Sequence, residues 1–271
     1  MDKNDLPQPM ILAEEKYSEL IQILEKHDRL HVAFSGGIDS TLLLFAAIHA
    51  LGISKVTAVN VVSTLNSRAV KDNLRQVVAT NFNSNVQLKE LKVDPLSWQE
   101  FVQNSHKRCY FCKKKMYSTI LDSLAADGCV LADGTNVDDL GEERPGLLAI
   151  KELEVATPLV AAELNKSEIR YLAKERGLSN YSLPSNSCLA TRIAGGQPVT
   201  EKSLRLIEQA EEQLEQLGFV GNRVRLIGDY VIIEVLENDV ASVIDSPTRE
   251  LIVDALYSLG FLNVSLSLKG R

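Results

Sequence analysis

No apolar run in this chain is long enough to cross a bilayer, which excludes a helical membrane span. The opening Met1-Asp2-Lys3-Asn4-Asp5 lacks the basic-then-apolar layout of a signal peptide, so the expected location is the cytoplasm, with no membrane partner. Positive charge is in deficit. The net charge is −7, from 36 acidic and 29 basic residues, and affinity for a phosphate backbone comes mostly from lysine and arginine. No nucleic-acid partner is expected. Cysteine is scarce, at four residues, and in a reducing compartment these are not expected to form structural disulfides, so metal or redox chemistry is the first question they raise. Histidine is as scarce, at four, and none stands in clear ligand spacing. Internal repeats and low-complexity segments are absent. What remains, 45% hydrophobic and 24% charged over 271 residues, is an ordinary globular composition with room for one large domain or two.

The most informative segment present is Val32-Ala33-Phe34-Ser35-Gly36-Gly37-Ile38-Asp39-Ser40-Thr41. Leu30 to Phe34 reads as a buried parallel strand and Leu42 to Ala50 as a buried helix, with two glycines in the turn between them. Glycine lets backbone approach a ligand, and the new helix offers unpaired N–H groups and a positive dipole end. That geometry holds an anion, most naturally phosphate. The Gly-Lys-Ser/Thr ending of a Walker A loop is missing, and so is the Gly-x-Gly-x-x-Gly of a dinucleotide fold. Ser35-Gly36-Gly37-Ile38-Asp39-Ser40 resembles the PP-loop of ATP pyrophosphatases, enzymes that split ATP into AMP and pyrophosphate to activate an oxygen atom.

Around this turn, elements alternate. A helix is expected over Ile11 to His27, strands over Val56 to Val62, Val86 to Val93 and Cys129 to Ala132, and helices over Ala69 to Ala79 and Met116 to Ala126. Such alternation implies a mostly parallel sheet covered on both faces, with the ligand beyond the carboxyl ends of its strands. Asp133-Gly134-Thr135-Asn136 follows a later strand and is expected to face the same crevice. The pattern changes near Gly195-Gly196-Gln197-Pro198. Thr200 opens an amphipathic helix to Leu217, and strands at Arg223 to Ile227, Val231 to Val235 and Leu262 to Leu268 suggest a small α+β domain. The expected division is residues 1–197 and 198–271.

Cys109-Tyr110-Phe111-Cys112 is a C-x-x-C pair, open to three readings: a redox disulfide, half a zinc site, or two ligands of an iron–sulfur cluster. Cys188 offers a third ligand and His106 a fourth. Three cysteines around a four-iron cluster would leave one iron open to an external ligand such as sulfide. The alternative is that Cys109 and Cys112 are small packing residues. Cys129, in an apolar strand, reads as core. Lys107, Arg108, Lys113, Lys114 and Lys115 crowd the pair, either to attract a polyanion and offset thiolate charge or as a solvated helix face. Arg223 and Arg225 alternate on one strand and share a face. They hold either a substrate anion or a structural salt bridge to Glu211 or Glu234.

Taken in order, Ser35-Gly36-Gly37-Ile38-Asp39-Ser40, Asp133-Gly134-Thr135-Asn136, Arg144-Pro145-Gly146, Thr157-Pro158-Leu159, Ser187-Cys188 and Arg223-Val224-Arg225 resemble the LarE family over nearly the whole chain from Leu30 onward. The resemblance implies an α/β fold: a PP-loop (adenine nucleotide alpha hydrolase-like) parallel-sheet domain with a small C-terminal α+β domain. It implies an ATP-dependent sulfur transferase of nickel-pincer cofactor synthesis, which adenylylates a carboxylate of pyridinium-3,5-biscarboxylic acid mononucleotide and converts it to a thiocarboxylate. Some members sacrifice the sulfur of one cysteine at the place of Cys188. The presence of Cys109 and Cys112 makes this chain look like the branch in which three cysteines hold a [4Fe-4S] cluster with a transferable sulfide. ATP and Mg2+ are implied as well. Ser35, Gly36, Gly37, Asp39 and Ser40 would hold the nucleotide phosphates, Asp39 with magnesium, while Asn60 and Gly134 flank adenosine. Arg192, Arg223 and Arg225 would hold the substrate's anionic groups, and Glu211 matches an acidic family position of unassigned role. A homo-oligomer, a hexamer by analogy, is expected, and the sulfide donor is unknown. Two competing readings are a tRNA thiolation enzyme of the same loop and cluster type, and a nucleotide-binding iron–sulfur or zinc module that senses without catalysing.

Overall fold

The computed structural model describes residues 8–125, 128–141, 145–184 and 187–271. Its elements in chain order are α1 (Gln8–Leu24), β1 (Leu30–Ala33), α2 (Ile38–Leu51), β2 (Val56–Val62), α3 (Arg68–Phe82), β3 (Gln87–Lys92), α4 (Gln99–Val102), α5 (Arg108–Leu124), β4 (Val130–Ala132), α6 (Val137–Leu140), α7 (Pro145–Glu152), α8 (Pro158–Ala161), α9 (Lys166–Glu175), α10 (Glu201–Gln216), β5 (Arg223–Ile227), β6 (Tyr230–Glu234), α11 (Val240–Ile244), α12 (Ser246–Ser258) and β7 (Asn263–Leu266). They form two compact units. The first comprises the described part of Met1–Ser63, Arg68–Val93 and Cys109–Asn186; the second comprises Thr64–Ser67, Asp94–Arg108 and the described part of Ser187–Arg271. Residues 187–197, expected with the first domain, therefore group with the C-terminal sheet, where Ile193 bridges to Leu226.

In the first unit, four parallel strands lie in the order β3-β2-β1-β4. Leu30 and Val32 of β1 pair with Val56 and Ala58 on one side and with Val130 and Ala132 on the other. The chain builds outward from β1 through β2 and β3, then returns to the opposite edge of β1. The loops after β1 and β4 thus diverge at a topological switch point, the place where open α/β sheets open a ligand crevice. A core of Leu20, Leu24, Val32, Leu43, Leu44, Leu164 and Leu172 joins α1, α2 and α9 to the sheet. Val59, Ile120, Leu124, Leu131 and Ile150 fill a second core under α5 and α7. Both faces of β1 and β2 are therefore covered, which explains why their residues are mostly apolar, His31, Thr57 and Asn60 excepted.

In the second unit β5 and β6 are antiparallel, and β7 joins β6 in parallel. Ala210, Leu214, Val224, Val231, Ile233, Ile252 and Leu256 form its core between the sheet, α10 and α12. Thr200 caps α10 by a reciprocal pair of bonds with Ser203. Several element ends differ from expectation by a few residues, and α5 differs most. The helix expected from Met116 begins at Arg108, so it carries the C-x-x-C pair in its first two turns. Ala126, the expected end, lies outside the described residues, as does Arg144 of the Arg-Pro-Gly motif.

Candidate functional site

The loop from β1 into α2 is braced by its own hydroxyls. Ser40 Oγ and Thr41 Oγ1 each donate to Gly37 O at 2.9 Å, and Gly37 N–H donates to Ser35 Oγ at 3.3 Å. Gly36 has φ +76°, and a β-carbon there would lie 3.0 Å from the Leu74 Cα. Only glycine meets both conditions. No side chain caps α2 among the described residues. The N–H groups of its first turn are thus left for an anion.

The β4 loop meets this turn. A β-carbon on Gly134 would lie 2.9 Å from Ser40 N, so the two loops touch backbone to backbone. Asn136 Nδ2 donates to Asp39 Oδ1 at 3.4 Å, and Lys166 Nζ forms an ion pair with the other oxygen of Asp39. Lys166 is the first residue of α9, which Asn165 caps by a capping box with Glu168. A cation at a helix N-terminus opposes the helix dipole, so this position is costly unless negative charge faces it. That sequence anomaly was the available signal for Lys166, which the sequence reading missed. Asn60 donates to Phe34 O at 2.8 Å, so its amide pins the end of β1.

Behind Gly134, the Asp133 carboxylate is buried and accepts from Thr135 N at 2.8 Å, from Thr135 Oγ1 and from Tyr117 Oη. Lys113 Nζ stands 3.5 Å from it. Burial alone would push this carboxyl up; Lys113, Thr135 and Tyr117 outweigh burial and hold it below the ordinary carboxylate value. Burial, then the charge of Asp133, push Tyr117 well above the usual phenol value, so its hydroxyl stays a donor. Lys113 and Tyr117 belong to α5. The cysteine-bearing helix is therefore tied through Asp133 to the loop that abuts Ser40. Cys109 and Cys112, three residues apart on that helix, share a face; Cys109 is exposed and Cys112 half-buried. Lys114 and Tyr110 both bond Glu152 of α7, which steadies the same helix.

In the second unit, Cys188 precedes a tight 3-10 turn over Leu189–Arg192. Arg192, only 3% exposed, donates to Ser187 O at 2.7 Å and Cys188 O at 3.2 Å, and pairs with Glu211 at 2.9 Å. Glu211 also accepts from Val224 N at 3.1 Å, so it joins the Cys188 turn to β5. Arg108 adds a bond to Ala190 O at 2.7 Å, and Asn104 holds Ala194 O and Gln197 O at 2.8 and 2.7 Å. Arg225 pairs with Glu234 and donates to Thr191 O at 3.1 Å, which is the structural salt bridge expected as the alternative. Arg223, on the same face of β5, is depressed to about 10 by burial and then by the positive charges of Arg271, Arg192 and Arg225. Cation gathered against cation marks a site of excess positive potential, suited to an anion. Among the described residues, no group of three or more His, Cys, Asp or Glu side chains that could hold a metal ion is present.

No family model matches the chain. It is 34% identical over 259 residues to pyridinium-3,5-bisthiocarboxylic acid mononucleotide synthase of Lactiplantibacillus plantarum, covering 94% of this chain and 91% of that protein. It is 29% identical over 260 residues to an uncharacterized protein of Synechocystis, covering 96% of each. It is 29% identical over 245 residues to an uncharacterized protein of Methanocaldococcus jannaschii, covering 90% of this chain and 91% of that one.

Proposed function

This chain belongs to the family of pyridinium-3,5-bisthiocarboxylic acid mononucleotide synthase, the LarE family, and from that premise we propose that it is an ATP-dependent sulfur transferase acting on a pyridinium biscarboxylate mononucleotide. The observation that carries the ATP half of the reading is the uncapped start of α2, facing the β4 loop at the switch point of the sheet. A substrate carboxylate oxygen attacks the α-phosphorus of ATP. The bond to the bridging oxygen breaks, and pyrophosphate leaves. The first-turn amides of α2 and the Lys166 ammonium stabilise the charge that develops on it. Asp39 is the candidate contact for magnesium, which would spread the same charge. Sulfide then attacks the acyl carbon, AMP departs, and a thiocarboxylate remains. Arg223 holds the phosphate or the second carboxylate of the mononucleotide, while Arg192 and Arg225 fix the Cys188 turn beside it.

Cys109 and Cys112 fit two thiolate positions of an iron–sulfur cluster, on one face of α5 beside Lys113, Lys114 and Lys115. We extend the proposal to Cys188 as third ligand of a [4Fe-4S] cluster. Such a cluster would carry the transferable sulfide on its open iron. Anaerobic reconstitution with iron and sulfide tests this assignment: alanine at any of the three cysteines lowers bound iron, and full iron in all three variants overturns it.

The central test incubates the full chain with ATP, magnesium, sulfide and pyridinium-3,5-biscarboxylic acid mononucleotide, with bulk tRNA in a parallel arm. Pyrophosphate and AMP released in step with thiocarboxylate, and only with the mononucleotide, are expected. Release with tRNA alone, or no release, sinks the proposal.

A further inference from the structure

We propose that Asn180 is a positioning residue of the nucleotide site, which holds the Gly36–Gly37 peptide so that the Gly37 N–H faces the phosphates of ATP. The inference rests on the reading of Ser35–Ser40 as the ATP loop.

A Gly-Gly peptide is easily flipped, because both residues accept either sign of φ. Its orientation needs a brace from outside. Asn180 lies in the turn after α9 and is only 2% exposed. Its Nδ2 donates at 3.0 Å to Gly36 O and at 3.0 Å to Thr41 Oγ1. Thr41 Oγ1 spends its own hydrogen on Gly37 O, so it can only accept from Asn180. This fixes which end of the amide faces the loop. Asn73 adds a second, longer bond to Gly36 O at 3.4 Å.

The consequence follows from peptide geometry. In a trans peptide the carbonyl and the next N–H point in opposite directions, and the described chain has no cis bonds. Gly36 is buried and its carbonyl is tied to the interior by Asn180; Gly37 is exposed, and its N–H must point the other way. Its present acceptor is Ser35 Oγ at a long 3.3 Å, a bond readily exchanged for a phosphate oxygen.

One observation says Asn180 is more than packing. Its Oδ1 is buried with no hydrogen-bond partner among the described residues. An orphaned buried acceptor is destabilising, and an apolar residue of similar size would avoid it. The donor end must therefore do something the fold alone does not require.

The test measures binding to the full chain, for wild type, Asn180→Ala and the size-matched Asn180→Asp, which lacks the donor when ionised. Titration calorimetry reads ATP and pyrophosphate; equilibrium dialysis at millimolar concentration reads adenosine. Both variants weaken ATP and pyrophosphate about tenfold, the loss of one well-aimed donor, and leave adenosine unchanged. Asn180→Asp carries the test if the alanine variant does not fold. Equal weakening of all three ligands would mean a general structural role and overturns the proposal, as does unchanged ATP affinity in either folded variant. Wild type that binds no ATP overturns the ATP reading of the loop along with it.

Discussion

At the scale of single residues, the site depends on atoms that are missing as much as on those present. Gly134 has no β-carbon, and one placed there would lie 2.9 Å from Ser40 N. Backbone cannot yield as a flexible side-chain tip does. Gly134→Ala should push apart the two loops at the switch point and cut pyrophosphate release at least tenfold, at a stability cost of about 1–3 kcal/mol. Parallel activity and melting assays check this; wild-type activity would mean the loops need not touch. Asp133 carries a different prediction. Its carboxyl is held low, so it contributes stability that is present above the ordinary carboxylate range and is lost as pH falls through its folded value. Tyr117→Phe removes one of the bonds that keep it low. The expected result is acid unfolding that begins at higher pH than in wild type, followed by fluorescence or circular dichroism. The turn at Ser35–Ser40 was legible in the sequence because two glycines stand between an apolar strand and an apolar helix. Asn180 was not. Its partner Gly36 is 144 residues away, and no local pattern distinguishes it from a turn residue.

Among the elements, periodicity exposed what packs on one face and hid what does not. β1, β2, α2 and α10 were legible because they are either mostly apolar or sharply two-sided. The start of α5 was hidden. Arg108, Cys109, Cys112 and three consecutive lysines interrupt its apolar stripe, and the first residues it buries fully are Ile120 and Leu124. Tertiary anchors hold that turn instead: Lys113 and Tyr117 on Asp133, and Tyr110 and Lys114 on Glu152. The two arginines of β5 were placed correctly on one face, but pairing alone could not say that Arg225 would be claimed by Glu234. Caps are a simpler case. Thr200→Ala breaks the capping box of α10 and should cost about 1 kcal/mol of stability. Pyrophosphate release should survive that change, since α10 and the ATP loop belong to different compact units. A variant that melts normally yet has lost the reaction would contradict this separation.

For the whole molecule, the alternation of elements foretold the parallel sheet, while the grouping of the chain into units did not follow from the sequence. Gly195-Gly196-Gln197-Pro198 looks like a linker, yet Ala194 N–H bonds Leu226 O at 3.0 Å and Asn104 grips both Ala194 and Gln197. Turn-rich sequence marks where a chain bends, not where its contacts end. A fragment of residues 198–271 therefore lacks ties that its sheet uses in the full chain. It should melt well below the C-terminal unit of the intact protein, or fail to fold; an equal melting temperature by circular dichroism would refute this.

The reach of Asn104 also sets a schedule for synthesis. Its amide waits for carbonyls that lie 90 and 93 residues further along. At the usual ribosomal pace of about 5–20 residues per second, that wait is roughly 5–18 s. Through that interval the 94–108 stretch is already made but lacks the Ala194 and Gln197 carbonyls that Asn104 holds, so nascent chains stalled before residue 194 should expose it to proteases and chaperones.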